Sequence, residues 1–364
     1  MSWQKIRHLK QYNPMQKTAI FYFLFSKVYK LTRFVYFLMW FVYFEKSVFP
    51  TLIPLVRNKF KFSVMKYYVW VIVAVLSITA YQKVTAQIVL KTEYIAPSNF
   101  LDENGNQVGE GKGDLKSISG GLQIPVSVKM NELNQPTAWA VALKGTYVSM
   151  NNKNLSTDYC LNEVLNAQLA VIHTRPLSER WSLIAMLGGG VYTDLSEFSG
   201  KCILGQGGAL FIRKMNPNLD LGGGAAINNV LGYPMAFFAL YLDWHKNGKF
   251  DFNISMTTTF EISASMQVKE NLRLRLIGEA NGVSAVVNKD GKSKIFVQQY
   301  STIGLQPEFK LAKYLTARIT GGVSVSREAY FQDRTIKAFY GDTPDEYPHF
   351  NIAPYFAVAI KYGL

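Results

Sequence analysis

From residue 88 to the C-terminus, apolar and polar residues alternate with a period of two, segment after segment. Phe250, Phe252, Ile254 and Met256 oppose Asp251, Asn253 and Ser255. Phe260, Ile262, Ala264, Met266 and Val268 oppose Glu261, Ser263, Ser265 and Gln267. Leu272, Leu274, Leu276 and Gly278 oppose Arg273, Arg275 and Glu279, and Trp139, Val141, Leu143, Gly145 and Tyr147 oppose small or polar neighbours that include Lys144. In 315–326, Leu315, Ala317, Ile319, Val323 and Val325 oppose Thr316, Arg318, Thr320, Ser324 and Ser326. A period of two puts alternate side chains on opposite faces of an extended chain, so each segment predicts a β-strand with one greasy and one wet face.

Soluble sandwiches alternate too, with the greasy faces shared as a core. In a membrane barrel the greasy face meets lipid and the wet face lines a lumen. The wet faces here mix Gly and Ala with isolated charges of both signs rather than a solvent-type Lys/Glu surface, which favours the barrel. The connections agree. Short polar breaks at 131–136, 177–180, 216–218, 245–249, 269–271 and 312–314 alternate with longer ones at 99–114, 151–162, 194–201, 288–293 and 327–349. Brief reversals near 230–234 and 257–259 complete the scheme. Outer-membrane barrels have short periplasmic turns and longer external loops. The pattern predicts an all-β, single transmembrane antiparallel up-and-down β-barrel of 14 strands, or of 12 without the two brief reversals. Trp139, Trp181, Trp244, Tyr314 and Tyr362 cluster at the short-turn end of the strands, where a periplasmic aromatic girdle belongs.

Composition narrows the class further. The chain of 364 residues is 49% apolar, 14% aromatic and 18% charged, with 27 Gly and two Cys, which excludes collagen, disorder and a disulfide scaffold. Beyond residue 87 no charge-free apolar run is long enough for a transmembrane helix. The net charge of +14 is misleading: residues 1–64 carry 11 Lys/Arg against one acid, Glu45, and Lys66 and Lys83 leave only +2 for residues 87–364. No electrostatic footprint for a nucleic acid remains. Residues 65–86 read as a signal peptide: Met65, Lys66, an apolar core from Val69 to Ala80, then Val84-Thr85-Ala86, with cleavage between Ala86 and Gln87. Such a signal works from the true N-terminus, so residues 1–64 are expected to be an over-extended gene model or a removed leader, and 87–364 the exported barrel.

In the closing strand, Phe356, Val358, Ile360, Tyr362 and Leu364 face one way, and Ala357, Ala359, Lys361 and Gly363 the other. It is similar to the segment by which outer-membrane proteins are recognised by the barrel-assembly machinery, although those usually end in Phe or Trp. With the signal peptide and strand–turn units such as Trp244-His245-Lys246-Asn247-Gly248-Lys249-Phe250, the chain over 87–364 resembles the uncharacterised outer-membrane β-barrel proteins of Bacteroidota, single barrels of unknown function behind a signal peptide. The resemblance implies residence among the lipids of a Gram-negative outer membrane. It implies no substrate.

Candidate chemistry is sparse. His173 falls on the lipid register, His245 in a short turn, and His349 at the external rim near Asp342, Asp345 and Glu346. An outer-membrane hydrolase would need more acids in fixed geometry. Gly109-Glu110-Gly111-Lys112-Gly113 lacks the P-loop's earlier Gly and following Ser/Thr, and Gly188–Gly190 and Gly222–Gly224 sit within strands, where Gly relieves crowding. Cys160 and Cys202 fall at the external ends of neighbouring hairpins, where they could pair in an oxidising compartment. Two Cys without a nearby His do not make a metal site, and no cofactor is expected.

The informative residues are the charges on the wet register: Lys91, Glu93, Lys144, Asp243, Asp251, Glu261, Arg273, Arg275, Glu279, Glu308, Arg318 and Lys361. They fit an interior ion-pair network that rigidifies the barrel, or a polar conduit that selects small solutes. The function expected is a passive or gated pore rather than an enzyme. The alternative is a sealed structural or surface-interaction barrel whose acidic, aromatic segment 327–349 meets a partner.

Overall fold

In a computed structural model, the description covers residues 86–363 apart from 197, 231–233, 249, 257–258 and 341–346. Residues 1–64 and nearly all of the expected signal peptide, through residue 85, therefore lie outside the described residues. Fourteen long strands make the wall: β1 (Gln87–Leu101), β2 (Gln107–Met130), β3 (Pro136–Ser149), β5 (Glu163–Pro176), β6 (Trp181–Thr193), β7 (Ile203–Asn216), β8 (Leu219–Asn228), β9 (Met235–Lys246), β10 (Phe250–Met256), β11 (Phe260–Lys269), β12 (Leu272–Lys289), β13 (Lys292–Ala312), β14 (Leu315–Asp333) and β16 (Ala353–Tyr362). Two two-residue strands, β4 (Asn152–Lys153) and β15 (His349–Phe350), are added at the edges of this wall. Each wall strand pairs antiparallel with the next, and β1 pairs with both β2 and β16, so the sheet closes on itself. The expected 14-strand barrel is what forms, with β8 paired antiparallel to β9 and β10 to β11 across the two brief reversals.

Local chemistry sets the turns. In the β2–β3 connection the Asn131 side chain accepts hydrogen bonds from the Leu133 and Gln135 amides, and Asn134 takes a positive φ of 55°, a conformation Asn tolerates well. The β12–β13 turn consists of Asp290 and Gly291, with φ of 56° and 73°. That is the two-residue hairpin chemistry in which both central residues need positive φ.

Three expected external loops are instead strand. Within 99–114, β1 continues to Leu101 and β2 starts at Gln107; Asp102 caps the tight turn by accepting from the Asn104 and Asn106 amides. The 288–293 loop reduces to the Asp290-Gly291 turn. Of 327–349, β14 takes the part up to Asp333, a five-residue helix α1 (Ile336–Tyr340) follows, and β15 bridges β1 and β14. The polar residues that suggested loops alternate in register with paired neighbours, and the ladder hydrogen bonds override them.

The wall is consequently lopsided. β2 has 24 residues and β13 has 21, whereas β10 has seven and β8 and β11 have ten each. Crossing a bilayer takes about 9–11 residues, so one side of the barrel rises well beyond the membrane at the long-connection end. There β12 leans inward until it touches β5 and β6 across the lumen, with the Asn166 side chain donating to the Ser284 carbonyl at 2.6 Å.

Crowded glycines occur on the lumen register in two groups. A Cβ on Gly224 would lie 1.9 Å from the Ala209 oxygen, and Gly188, Gly190, Gly208 and Gly222 are nearly as tight. On the other side, a Cβ on Gly322 would lie 2.1 Å from the Ile303 oxygen, and Gly304 is also tight. Strongly bent wall drives inward Cβ atoms into the next strand, so only Gly fits. The two groups lie at β6–β8 and at β13–β14.

Candidate functional site

Which face is the lumen follows from contacts between strands that are not neighbours. Lys91 on β1 reaches Glu279 on β12 at 2.7 Å, and Glu93 accepts from the Tyr300 hydroxyl of β13 at 3.0 Å. Carried from strand to strand by the pairing register, this face holds all twelve charges named above. Trp139, Trp181, Trp244 and Tyr362 lie on the opposite register, beside exposed apolar residues such as Phe238, Leu187 and Leu240. Tyr314 sits in the short turn after β13. His173 is on the same outer face, its ring stacked 4.2 Å from Trp139, and its Nδ1 lies 3.2 Å from the Ala138 carbonyl oxygen. An imidazole so engaged and facing outward has no place in lumen chemistry.

The lumen splits into two halves. Toward the short turns it is polar and densely paired. Lys91 bridges Glu93 at 2.9 Å and Glu279, and Glu93 also accepts from Ser117 (2.9 Å) and Tyr355 (2.7 Å). Arg275 binds Glu261 at 2.6 Å and Gln306 at 2.7 Å, and Arg318 binds Glu308 at 2.6 Å. Arg273 meets Asp251 at 3.4 Å, and Asn253 donates to Asp243 at 3.4 Å. Lys144 and Lys361 share the lumen register, and among the described residues neither has an ion-pair partner within 4.0 Å. An Arg or Lys on the lipid face would cost about 2–4 kcal/mol at mid-depth and an acid somewhat less, and the register keeps all twelve charges off that face.

Toward the long connections the lumen is apolar and filled, which corrects the expectation of a continuously wet interior. Ile95, Phe100, Leu115, Val148, Val164, Val283, Ala285, Val287, Phe296 and Phe350 form one buried cluster drawn from β1, β2, β3, β5, β12, β13 and β15. Along β12 the inward face changes from Arg273, Arg275 and Glu279 to Val283, Ala285 and Val287. Polar ties cross the mouth above this cluster. Arg334 donates to the Asn229 and Val230 carbonyls at 3.0 and 2.5 Å, and Lys289 meets Asp158 at 3.3 Å.

No disulfide joins Cys160 and Cys202, a correction to the pairing considered from sequence. Cys160 is buried in the large cluster and Cys202 packs with Leu204 and Val286, its Sγ 3.5 Å from the Val286 carbonyl oxygen. The two thiols sit in different apolar clusters, and apolar surroundings suit thiols. Burial pushes the Cys160 thiol up to about 12. Among the described residues no three His, Cys, Asp or Glu side chains converge as a metal site would require. His349 is paired within β15, its Nδ1 2.9 Å from the Tyr347 carbonyl oxygen, and the rim acids 342, 345 and 346 lie outside the described residues.

Sequence reasoning missed Arg327, which it placed in a loop. Simple alternation would turn Arg327 outward with Val323 and Val325. One extra residue in β14, between the pairs Thr302–Ser324 and Ser301–Ser326, switches the register and turns Arg327 into the lumen. Among the described residues it is the largest fully buried side chain, 1% exposed, with the Phe350 ring 3.7 Å from its guanidinium carbon.

A closed antiparallel barrel with a greasy exterior, an aromatic ring at one end and a charged interior defines the class of outer-membrane-type β-barrels. Within that class the chain belongs to the DUF6268 family, a domain of unknown function whose model matches residues 82–363. A comparison with curated proteins finds no match. Among solved structures the chain is similar to the COG4313 outer membrane channel from Pseudomonas putida F1, at 10% identity and a TM-score of 0.40, over 78% of this chain and 97% of that one. It is also similar to the NanC porin (6% identity, TM-score 0.30, 76% and 100% covered). The outer membrane protease OmpT from Escherichia coli matches at 12% identity and a TM-score of 0.23, covering 77% and 96%.

Proposed function

We propose that this protein is a non-enzymatic channel in the outer membrane of a Gram-negative bacterium, closed at its external end by the apolar cluster and conducting small solutes when β12 and β13 lean away. One observation carries the reading: the lumen is lined by charges, most of them paired, up to mid-height and is then stopped by a buried apolar cluster. A barrel that serves only as an anchor can be filled throughout. A conduit with a hydrophobic constriction has a polar route below a gate that excludes water. The partners are outer-membrane lipid around the greasy belt and the barrel-assembly machinery, which would read the amphipathic closing strand. With +2 net charge over 87–364, nucleic acid is not among them. An origin in Bacteroidota fits the strand–turn rhythm.

The filled external half also supports the rival reading, a sealed barrel. Planar-bilayer recording separates the two. Wild-type protein is expected to be nearly silent, and Ala285→Asp, which puts a charge into the apolar cluster, to give discrete conductance steps. Heat-dependent gel migration reports that the variant has folded. Silence from a folded Ala285→Asp barrel would establish the sealed reading instead. Replacing Arg273 and Arg275 by Ser in the open variant should then shift ion selectivity toward cations, because the acids they neutralise remain.

A further inference from the structure

Polar side chains in the lower lumen satisfy one another, but three at the base of the apolar cluster do not. Arg327 leaves Nε and Nη1 without a hydrogen-bond partner, Gln298 leaves both amide atoms and Asn281 leaves Nδ2, and all of these atoms are shielded from solvent. They belong to one patch. Asn281 on β12 is directly opposite Tyr300 on β13, which is directly opposite Arg327 on β14. Gln298 is two residues along β13 on the same face, opposite Ala329 and therefore diagonal to Arg327.

Arg327 differs from the other lumen arginines in its charge balance. Arg273, Arg275 and Arg318 each have a carboxylate within 4.0 Å. The fixed bonds of Arg327 are to neutral groups, from Nη2 to the Gly113 carbonyl at 2.6 Å and to the Ser98 hydroxyl at 3.3 Å. The acid beside it, Asp114, is taken up by Lys116 at 3.2 Å and by the Asn151 amide at 2.8 Å. Arg327 is thus offset only by the Phe350 ring, 3.7 Å from its guanidinium carbon, and by an acid shared with Lys116, and a buried guanidinium so sparsely compensated favours further negative charge. The unmet atoms are mostly N–H donors, which is the complement of an oxyanion. The surroundings are apolar: Val283, Phe296 and Phe350 are buried next to these positions.

We infer that Arg327, with Gln298 and Asn281, forms a binding site in the lumen for the carboxylate of a small, largely apolar monocarboxylic solute, reached when the external cluster parts. Arg327 carries the charge, the two amides orient the carboxylate oxygens, and the apolar cluster receives the body of the solute. This deepens the channel reading by naming what would pass, and it rests on that reading for the role of the bound solute. A solute held here would occupy the space that the cluster closes, so binding and opening would be linked.

Calorimetric titration of the refolded full-length barrel with benzoate tests the site, with benzamide as the neutral twin and chloride as the bare anion. Saturable benzoate binding is expected, at least tenfold weaker for benzamide and absent for chloride. Arg327→Met should weaken benzoate at least tenfold, and Gln298→Leu severalfold. Arg327→Lys should recover only part, because it keeps the charge and loses the planar fork. If Arg327→Met does not reach the folded, heat-modifiable form, Gln298→Leu and Asn281→Leu decide the matter. Benzoate that does not bind, or binds a folded Arg327→Met barrel as it binds wild type, overturns the inference. Conductance from Ala285→Asp without Arg327-dependent binding would leave the channel standing and remove this site. Binding without conductance in any folded variant would do the reverse.

Discussion

Glu93 is the most heavily engaged acid in the lumen. One carboxylate with 5% exposure takes an ion pair from Lys91 and hydroxyl hydrogen bonds from Ser117, Tyr300 and Tyr355, gathering four strands at one point. A buried pair adds little net stability over an apolar replacement, yet breaking one by removing a partner costs about 3–5 kcal/mol. Glu93→Ala should therefore lower the unfolding free energy, measured by urea titration in detergent, by about 3 kcal/mol. Lys361→Ala, on the same register without an ion pair, should stay within about 0.5 kcal/mol of wild type. The facing of both residues was legible in the sequence, because Lys91 and Glu93 alternate with Leu90, Thr92 and Tyr94, and Lys361 with Ile360 and Tyr362. The partners of Glu93 were not, because Tyr300 is 207 residues away and only closure of the sheet brings it near.

Among the elements, the turns were the most readable and the lengths of the strands the least. Asp290-Gly291 and the Asn131 turn carry their own backbone chemistry, whereas extending β1, β2 and β14 past the membrane depends on each finding a partner to pair with. The crowded glycines belong to this scale. Gly224 stands on the lumen face of β8, and a side chain there would meet the β7 backbone. Gly224→Val should prevent the folded, heat-modifiable form or destabilise it by at least about 1–3 kcal/mol, the usual cost of overpacking. Gly205, which has open space around its would-be Cβ, should accept Ala with little change. A run of three glycines in the sequence says that crowding is relieved somewhere. Which of the three meets the next strand depends on how tightly the wall bends.

At the level of the whole molecule, height varies around the ring, and so should stability. Among the described residues the β9–β10 ladder joins five residue pairs, while β12 and β13 run together for eighteen. The tall side also holds the buried cluster. Hydrogen exchange in detergent is therefore expected to be fastest for amides of β9 and β10 and slowest for β12, β13 and β14. Uniform protection around the ring would contradict a tall side stabilised by its own interior core.

The sequence by itself determined the class of fold, the strand number, the end at which the short turns gather and the face of each strand, because a period of two and the chemistry of turns are local properties. It also put twelve charges on the lumen register, since a strand's two faces are fixed by the order of its residues. Only the tertiary structure decided that β12 meets β5 across the barrel and that the long-connection half of the lumen is filled. Those outcomes arise from contacts between residues far apart in the chain. A single extra residue in β14 settled the rest: it reversed the alternation just before Arg327 and buried a cation that the local pattern would have turned outward.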